Sequence, residues 1–350
     1  MAALERLSLV RVTVGSRSQV VAAVSVNSDT CDRVAHLIAS QKIPEDREEI
    51  PSLDMPGQLV GNFFLFLVAI CHRTSSRNQK PLVGIVDGLS KRGWDYLLER
   101  FYKVVRANLS LLTPLNWVRF SAKDIKHIFG NRLIDAEGRA ALIRDLGDQM
   151  TAFGWISADD MYTHCDGRIA IGYPNLLEVL SEFQAYSDPV RKKSLYFLSV
   201  MRNNAGWKYR DDDSLGPPVD YHEVRGHLRL GTVQVNDWSL LQKIREGRSV
   251  TRDEDIVLRR AVYDAIMMIS ERSGIRNPSQ LHYLFWNVFR SVCLRKNPQC
   301  FHLDQRCDLP ERYRHLAKYR NYERCPFAGV CRSAGVADPL PEHTINTDYY

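Results

Sequence analysis

The sequence predicts a mostly α-helical protein with a small N-terminal β element. Three observations carry that reading. Apolar residues recur at helical spacing through most of the 350 residues. Helix-start signals of the type S/T-x-x-D/E stand in front of several of these stretches. Val-rich alternation, the mark of strands, is confined to residues 8–26, with one further short extended patch at Gly167–Tyr173.

Taken in order, residues 8–26 read as a hairpin or two short strands turning at Gly15-Ser16. Helices are expected at about 29–41, 56–73, 92–107, 121–129, 136–153, 175–186 and 189–203. Ser121 with Asp124 can cap one of these, and Gly154 can end another. The patch "GRIAIGY" at Gly167–Tyr173 reads as extended. Residues 207–219 form a polar loop containing Pro and Gly. Thr251 and Glu254 make a capping box before a helix in which Val257, Val262, Ile266 and Ile269 recur and which Gly274 stops. Ser279 opens a further helix that delivers Cys293 at its end.

Composition is that of an ordinary globular chain, 45% hydrophobic and 25% charged. The longest apolar run, Leu59–Cys71, is too short to span a bilayer and reads as a buried core helix. The start "MAALERLSLVRVTVGS" carries no secretory signal, so the expectation is a cytoplasmic protein, nucleoid-associated if prokaryotic, with reduced thiols. Between Arg290 and Arg332 stand ten Lys/Arg against four Asp/Glu, which accounts for the whole net charge of +6. Such a patch is either a solvated surface or a site for a polyanion such as a nucleic-acid backbone. P-loop, dinucleotide-binding, H-E-x-x-H and G-x-S-x-G motifs do not occur.

Five of the eight cysteines, Cys293, Cys300, Cys307, Cys325 and Cys331, fall within this basic stretch. Cys293 and Cys300 are spaced C-x6-C, and Cys325 and Cys331 C-x5-C. In a reducing compartment such clustering suggests a metal site. Four thiolates from an irregular loop after a helix suit a [4Fe-4S] cluster, with Cys307 as a possible substitute ligand. Zinc is the competing occupant, although zinc pairs usually stand two to four residues apart. Cys31, Cys71 and Cys165 lie in apolar or helical contexts and read as core residues.

"RSVCLRKNPQC" followed by "RCPFAGVC" resembles the iron–sulfur loop of the helix-hairpin-helix DNA glycosylases, the endonuclease III-like group, with a longer spacer between the two cysteine pairs. "PPVDYHEVRGHLRLG" resembles that family's catalytic segment, a V-D-x-H-x-x-R pattern matched by Val219, Asp220, His222 and Arg225. "DPVRKKSLYFLSVMRN" resembles the segment that carries the lysine of bifunctional members, which falls on Lys193. The phosphate-gripping glycine-rich hairpin is replaced by "YSDPVRK". A diffuse second resemblance, over about residues 60–293, is to the queuosine salvage N-glycohydrolases, through "KRGWDYLLERFYKVVRANL", "VDYHEVRGHLRLG" and "LHYLFWNVFR".

The resemblance implies a two-lobed helical glycosylase-like fold with a C-terminal iron–sulfur loop. It implies Asp220 as the carboxylate that stabilises an oxocarbenium-like transition state, and Lys193 as nucleophile or electrostatic helper. An N-cap role for Asp220 and a solvated helix position for Lys193 are the ordinary alternatives. Trp207, Tyr209, Tyr221, His222 and Arg225 are candidate substrate-binding residues, with Trp94 and Tyr96 as further aromatics for holding an extruded base. His164-Cys165 reads as structural. The expected organisation is an N-terminal element at 1–55, a helical domain with the catalytic cleft at 56–290, the cluster loop at 291–335 and a tail at 336–350. The implied activity is excision of a modified base from DNA, with no membrane or obligate protein partner. Hydrolysis of a free queuosine-like nucleoside or nucleotide, or nucleic-acid binding without catalysis, are the alternatives.

Overall fold

The computed structural model describes residues 9–14, 17–45, 50, 53–74, 80–305 and 307–350, and for 9–14 and 17–21 the backbone only. Fourteen α-helices and four two-stranded antiparallel pairs occur among the described residues. The chain is mostly α, as its periodicity predicts. It divides into two compact units, one built from Met1–Asp46 and Val219–Asn346, the other from Arg47–Pro218 and Thr347–Tyr350. The expected boundaries at 55, 290 and 335 are therefore replaced by boundaries at 46, 218 and 346.

In the first unit, strand Leu9–Val14 pairs with Arg17–Ala22. The expected turn at Gly15-Ser16 lies outside the described residues. The next strand, Val24–Val26, pairs with Val233–Val235, more than two hundred residues later. Helix Ser28–Ala39 follows, capped by the Asn27 side chain, which accepts from the Thr30 amide at 2.8 Å. Its buried face (Cys31, Val34, Ala35, Ile38) shares one apolar core with Val262, Ile266, Leu284, Phe285, Cys307 and Phe327. That shared core is why neither the N-terminal element nor the cysteine loop forms a separate domain. Buried apolar area, at roughly 25 cal/mol per Å², outweighs proximity along the chain. Helices Arg252–Ser273 and Pro278–Ser291 form the middle of this core. The Thr251–Glu254 capping box and the left-handed Gly274 stop stand where expected.

The second unit is organised around helix Gly57–Ala69, whose residues from Val60 to Ala69 are all buried. Phe63 and Phe66 both stack on Phe101, at 4.9 and 4.5 Å between ring centres. The one polar side chain in that run, Asn62, is fully used. Its amide nitrogen donates to the Leu112 and Ile156 carbonyls, each at 2.9 Å, and its oxygen accepts from the Ala158 amide at 2.7 Å. A satisfied amide can be buried at little cost, whereas an orphaned one cannot. Ser121 and Asp124 form their capping box, and left-handed Gly154 follows the helix Ala136–Ala152.

Gly167–Tyr173 is a loop, not a strand. The amides of Ile169, Ala170 and Ile171 donate to the Asp211 carboxylate, at 2.6, 2.9 and 2.9 Å. Three consecutive amides on one carboxylate cannot coexist with the alternating amides of a strand. Helices at Ala158–His164, Trp238–Glu246 and Glu311–Ala317 were not apparent in the sequence.

Lys193 has a structural position that its sequence did not show. It is fully buried, and its amine donates to the carbonyl of Ala69, with His72 Nδ1 at 3.4 Å. Buried Arg139 donates to the carbonyls of Ile70 and His72. Two buried side-chain donors thus satisfy carbonyls at and just past the C-terminal end of the Gly57–Ala69 helix, and the Arg139 guanidinium meets its negative dipole end. Burial pushes the Lys193 amine down to about 7.

Between pH 7 and the ordinary lysine value of 10.5, the unfolded chain binds the proton that the folded chain has released, so stability rises with pH there. Lys193→Met lacks that group, and the stability of the native protein relative to this variant should increase from pH 7 to pH 10. Urea denaturation of both at the two pH values checks it. A difference that stays constant with pH would show that Lys193 does not change its ionisation on folding.

Candidate metal centre and the carboxylate beside it

Asp220 opens helix Tyr221–Leu230 in the first unit. One carboxylate oxygen accepts from the amides of His222 (2.7 Å) and Glu223 (3.3 Å), and the other accepts from the indole N–H of Trp286 (3.0 Å). Glu223 completes a reciprocal capping box by accepting from the Asp220 amide at 3.2 Å, and its other oxygen meets His282 Nδ1 at 2.9 Å. Asp220 is therefore an N-cap, held from one further direction by Trp286 of the helix Pro278–Ser291. It keeps 7% of its surface open.

Arg225 and Arg229 stand one turn apart on the same helix, and both turn toward the cysteine loop. Arg225 is buried. Its guanidinium donates to the carbonyls of Cys293 (2.9 Å) and Phe289 (2.8 Å), to Glu342 (3.1 Å) and to His222 Nδ1 (3.0 Å). An arginine only donates, so His222 Nδ1 is the acceptor. Arg229, also buried, donates to the carbonyls of Leu340, Leu294 and Arg295 at 2.7, 2.7 and 2.9 Å, and reaches Cys293 Sγ at 3.4 Å. Arg295 pairs with the second oxygen of Glu342. The two arginines convert an irregular segment into a fixed one by satisfying its carbonyls. Arg225, expected at the substrate, is committed to this frame.

Cys293, Cys300, Cys325 and Cys331 line one cavity, together with Gly226, Arg229, Phe289 and Phe327. Cys307 does not join them. It packs in the apolar core, with its thiol donating to the Ser291 carbonyl at 3.6 Å. Burial and the neighbouring thiols push Cys325 well up, and burial pushes Cys331 up to about 11. Opposing this, main-chain amides of Phe327, Ser333 and Ala334 face the Cys325 and Cys331 sulfurs and favour their thiolates. Neither a family model nor a curated protein matches this chain. The reading of the site rests on its own geometry.

Tetrahedral zinc with bonds of about 2.3 Å brings its sulfurs to about 3.8 Å from one another. Among the described residues, only His72, Asp135 and Asp348 offer three ligand atoms all within 4.8 Å, so no three of the four sulfurs are that close. Four thiols around one cavity make this the candidate metal centre of the first unit. The His72, Asp135 and Asp348 trio already holds a cation, since the Arg73 guanidinium pairs with both carboxylates.

The remaining candidates separate by unit. Tyr221 and His222 lie beside Asp220, their rings 4.4 Å apart. Lys193, Trp207 and Tyr209 belong to the second unit. Trp207 donates to Asp159 at 2.8 Å and packs on Tyr162 and Phe197, while Tyr209 donates to the Leu198 carbonyl at 2.7 Å. Trp207 is a core residue there, and Tyr209 is half-buried. Tyr96 donates to the Phe129 carbonyl at 2.8 Å, and Trp94 packs edge-on against Tyr196. Cys31 and Cys165 are buried as expected, while Cys71 is half-buried. Sequence reasoning missed the roles of Trp286, Arg229 and Glu342. Only the i, i+4 spacing of Arg225 and Arg229 on an otherwise buried helix hinted at them.

Gly226 lines the same cavity. A Cβ there would lie 2.0 Å from the Phe289 ring, and that ring is held against Phe285 and Phe327. Gly226→Ala should lower stability by about 1–3 kcal/mol. A thermal melt within experimental error of the native protein would show that the two helices can separate to admit a methyl group.

Proposed function

We propose that this protein is an N-glycosylase of the helix-hairpin-helix type. It would extrude a modified base from DNA and hydrolyse its N-glycosidic bond, leaving an abasic site. The observation that carries this reading is one helix with two roles. Its N-cap is Asp220, and its arginines frame a ring of four thiols. A carboxylate pinned by three hydrogen bonds is pre-organised to face the positive charge that develops on the sugar as the base departs. It also orients the water that attacks the anomeric carbon and accepts a proton from it.

A [4Fe-4S] cluster suits the four thiols, the amides that face two of them and the buried Arg229 cation beside Cys293. Bound there, the cluster would supply a cross-link that holds the basic loop in shape. Lys193 takes no covalent part in this reading, because its amine is buried and hydrogen-bonded to Ala69. Simple hydrolysis without strand cleavage is the expected outcome. The missing glycine-rich hairpin favours a bulky, hypermodified base over a common lesion.

The test is mass spectrometry of the bases released from a panel of modified DNAs and free nucleotides. DNA binding to the basic lobe should weaken at least tenfold for a few-fold rise in salt, as several phosphate contacts require. Release only from free nucleotides, with little response to salt, would move the substrate to a queuosine-like nucleotide and leave the chemistry at Asp220.

A further inference from the structure

The long spacer between the two cysteine pairs has no counterpart in the resemblance, and its end is a small hairpin. Lys318-Tyr319 pairs with Tyr322-Glu323. The hairpin is stitched back to the first cysteine segment by the Leu303 amide donating to the Glu323 carbonyl (2.9 Å) and the Cys325 amide to the Cys300 carbonyl (3.1 Å). That pairing brings His302 beside Tyr322, with ring centres 6.3 Å apart and planes 38° from parallel. Both are exposed. Two exposed rings side by side offer faces on which bases can stack.

The charges around this ring pair suit a phosphate chain. Glu323 is paired with Arg314 at 2.6 Å. Among the described residues, Lys318, Arg320 and Arg324 have no carboxylate partner. Arg324 lies 3.5 Å over the Tyr319 ring, with Arg320 5.5 Å from the same ring. Arg320 occupies the tip of the hairpin with φ +53°, a left-handed conformation that glycine or asparagine adopts more easily. The turn holds an arginine where backbone preference alone would place glycine. On the His302 side opens a groove of about 330 Å³, bordered by Asn297, Pro298, Phe301, His302, Gly335 and Val336.

We propose that this hairpin is a docking site for unpaired nucleic acid, bases stacking on the exposed rings of His302 and Tyr322 while Arg320 and Lys318 meet the flanking phosphates. Aromatic platforms interleaved with arginine recognise single strands without sequence preference. For the class of partner the proposal rests on the reading of the basic lobe as a nucleic-acid surface. It adds the mode of binding and the residues.

The experiment is fluorescence anisotropy with a short labelled oligodeoxynucleotide of mixed sequence, single-stranded and as its duplex, on the intact protein. Tyr322→Ala should weaken single-strand binding roughly tenfold and duplex binding much less. Arg320→Gly should weaken single-strand binding several-fold while the melting temperature holds or rises, because glycine relieves the turn. Single-strand affinities unchanged in both variants would overturn the proposal. So would equal losses for single strand and duplex, or full displacement of the oligonucleotide by polyglutamate at matched charge, which would mark a general anion surface. None of these results bears on base release, which depends on Asp220 and is measured separately.

Discussion

Asp220→Asn is expected to lower base release by at least about a hundredfold, the scale seen when one pre-organised electrostatic group is removed from a transition state. The substitution is informative because it spares the fold. Asparagine caps helices about as well as aspartate, so the amides of His222 and Glu223 keep an oxygen acceptor. What changes is the charge, and the group presented to Trp286. The asparagine NH2 would face the indole N–H, so one hydrogen bond worth about 1 kcal/mol is lost. Circular dichroism and thermal melting should therefore stay near those of the native protein while base release collapses. Asp220→Ala would confound the two effects by leaving the helix uncapped and the Trp286 N–H without its acceptor. Native-level release by the asparagine variant would remove Asp220 from the mechanism and leave it as a helix cap alone.

The second large effect concerns the thiols. Cys325→Ser should strip most of the iron from the purified protein and lower its melting temperature by several degrees, since binding energy at a structural metal site is folding energy. Cys307→Ser should keep its iron and lose only a modest amount of stability. Its thiol contacts the Ser291 carbonyl and core side chains, and it does not line the cavity. Iron and sulfide content with the visible spectrum distinguishes the two variants. Equal iron loss from both would put Cys307 into the ligand set, and a colourless native protein carrying stoichiometric zinc would defeat the cluster altogether.

Much of the local structure was legible because it is decided locally. Ser121 with Asp124 and Thr251 with Glu254 make their capping boxes within four residues, and Gly274 stops its helix through its own left-handed backbone. The run from Leu59 reads as buried because it contains nothing that water would keep. The two cysteine pairs were visible as spacings. The misreadings all have one cause, a partner distant in sequence. Gly167–Tyr173 looks like a strand until Asp211 binds three of its amides. Lys193 looks like a solvated or catalytic lysine until the end of the Gly57–Ala69 helix presents a carbonyl to it. Cys307 looks like a fifth ligand until the core takes it.

The amino-acid sequence by itself determined the helical class, most helix ends, the net positive charge of the last lobe and the set of thiols available to a metal. Each depends on contacts within a turn or two, or on composition alone. Tertiary structure decided the rest. It joined residues before Asp46 to those after Val219 in one core, brought four of the five clustered thiols to one cavity, and aimed Arg225 and Arg229 at carbonyls more than sixty residues away. These outcomes depend on which buried polar groups find partners and which apolar faces meet. No local pattern encodes that, because the free energy that settles it arises only when distant segments are packed together.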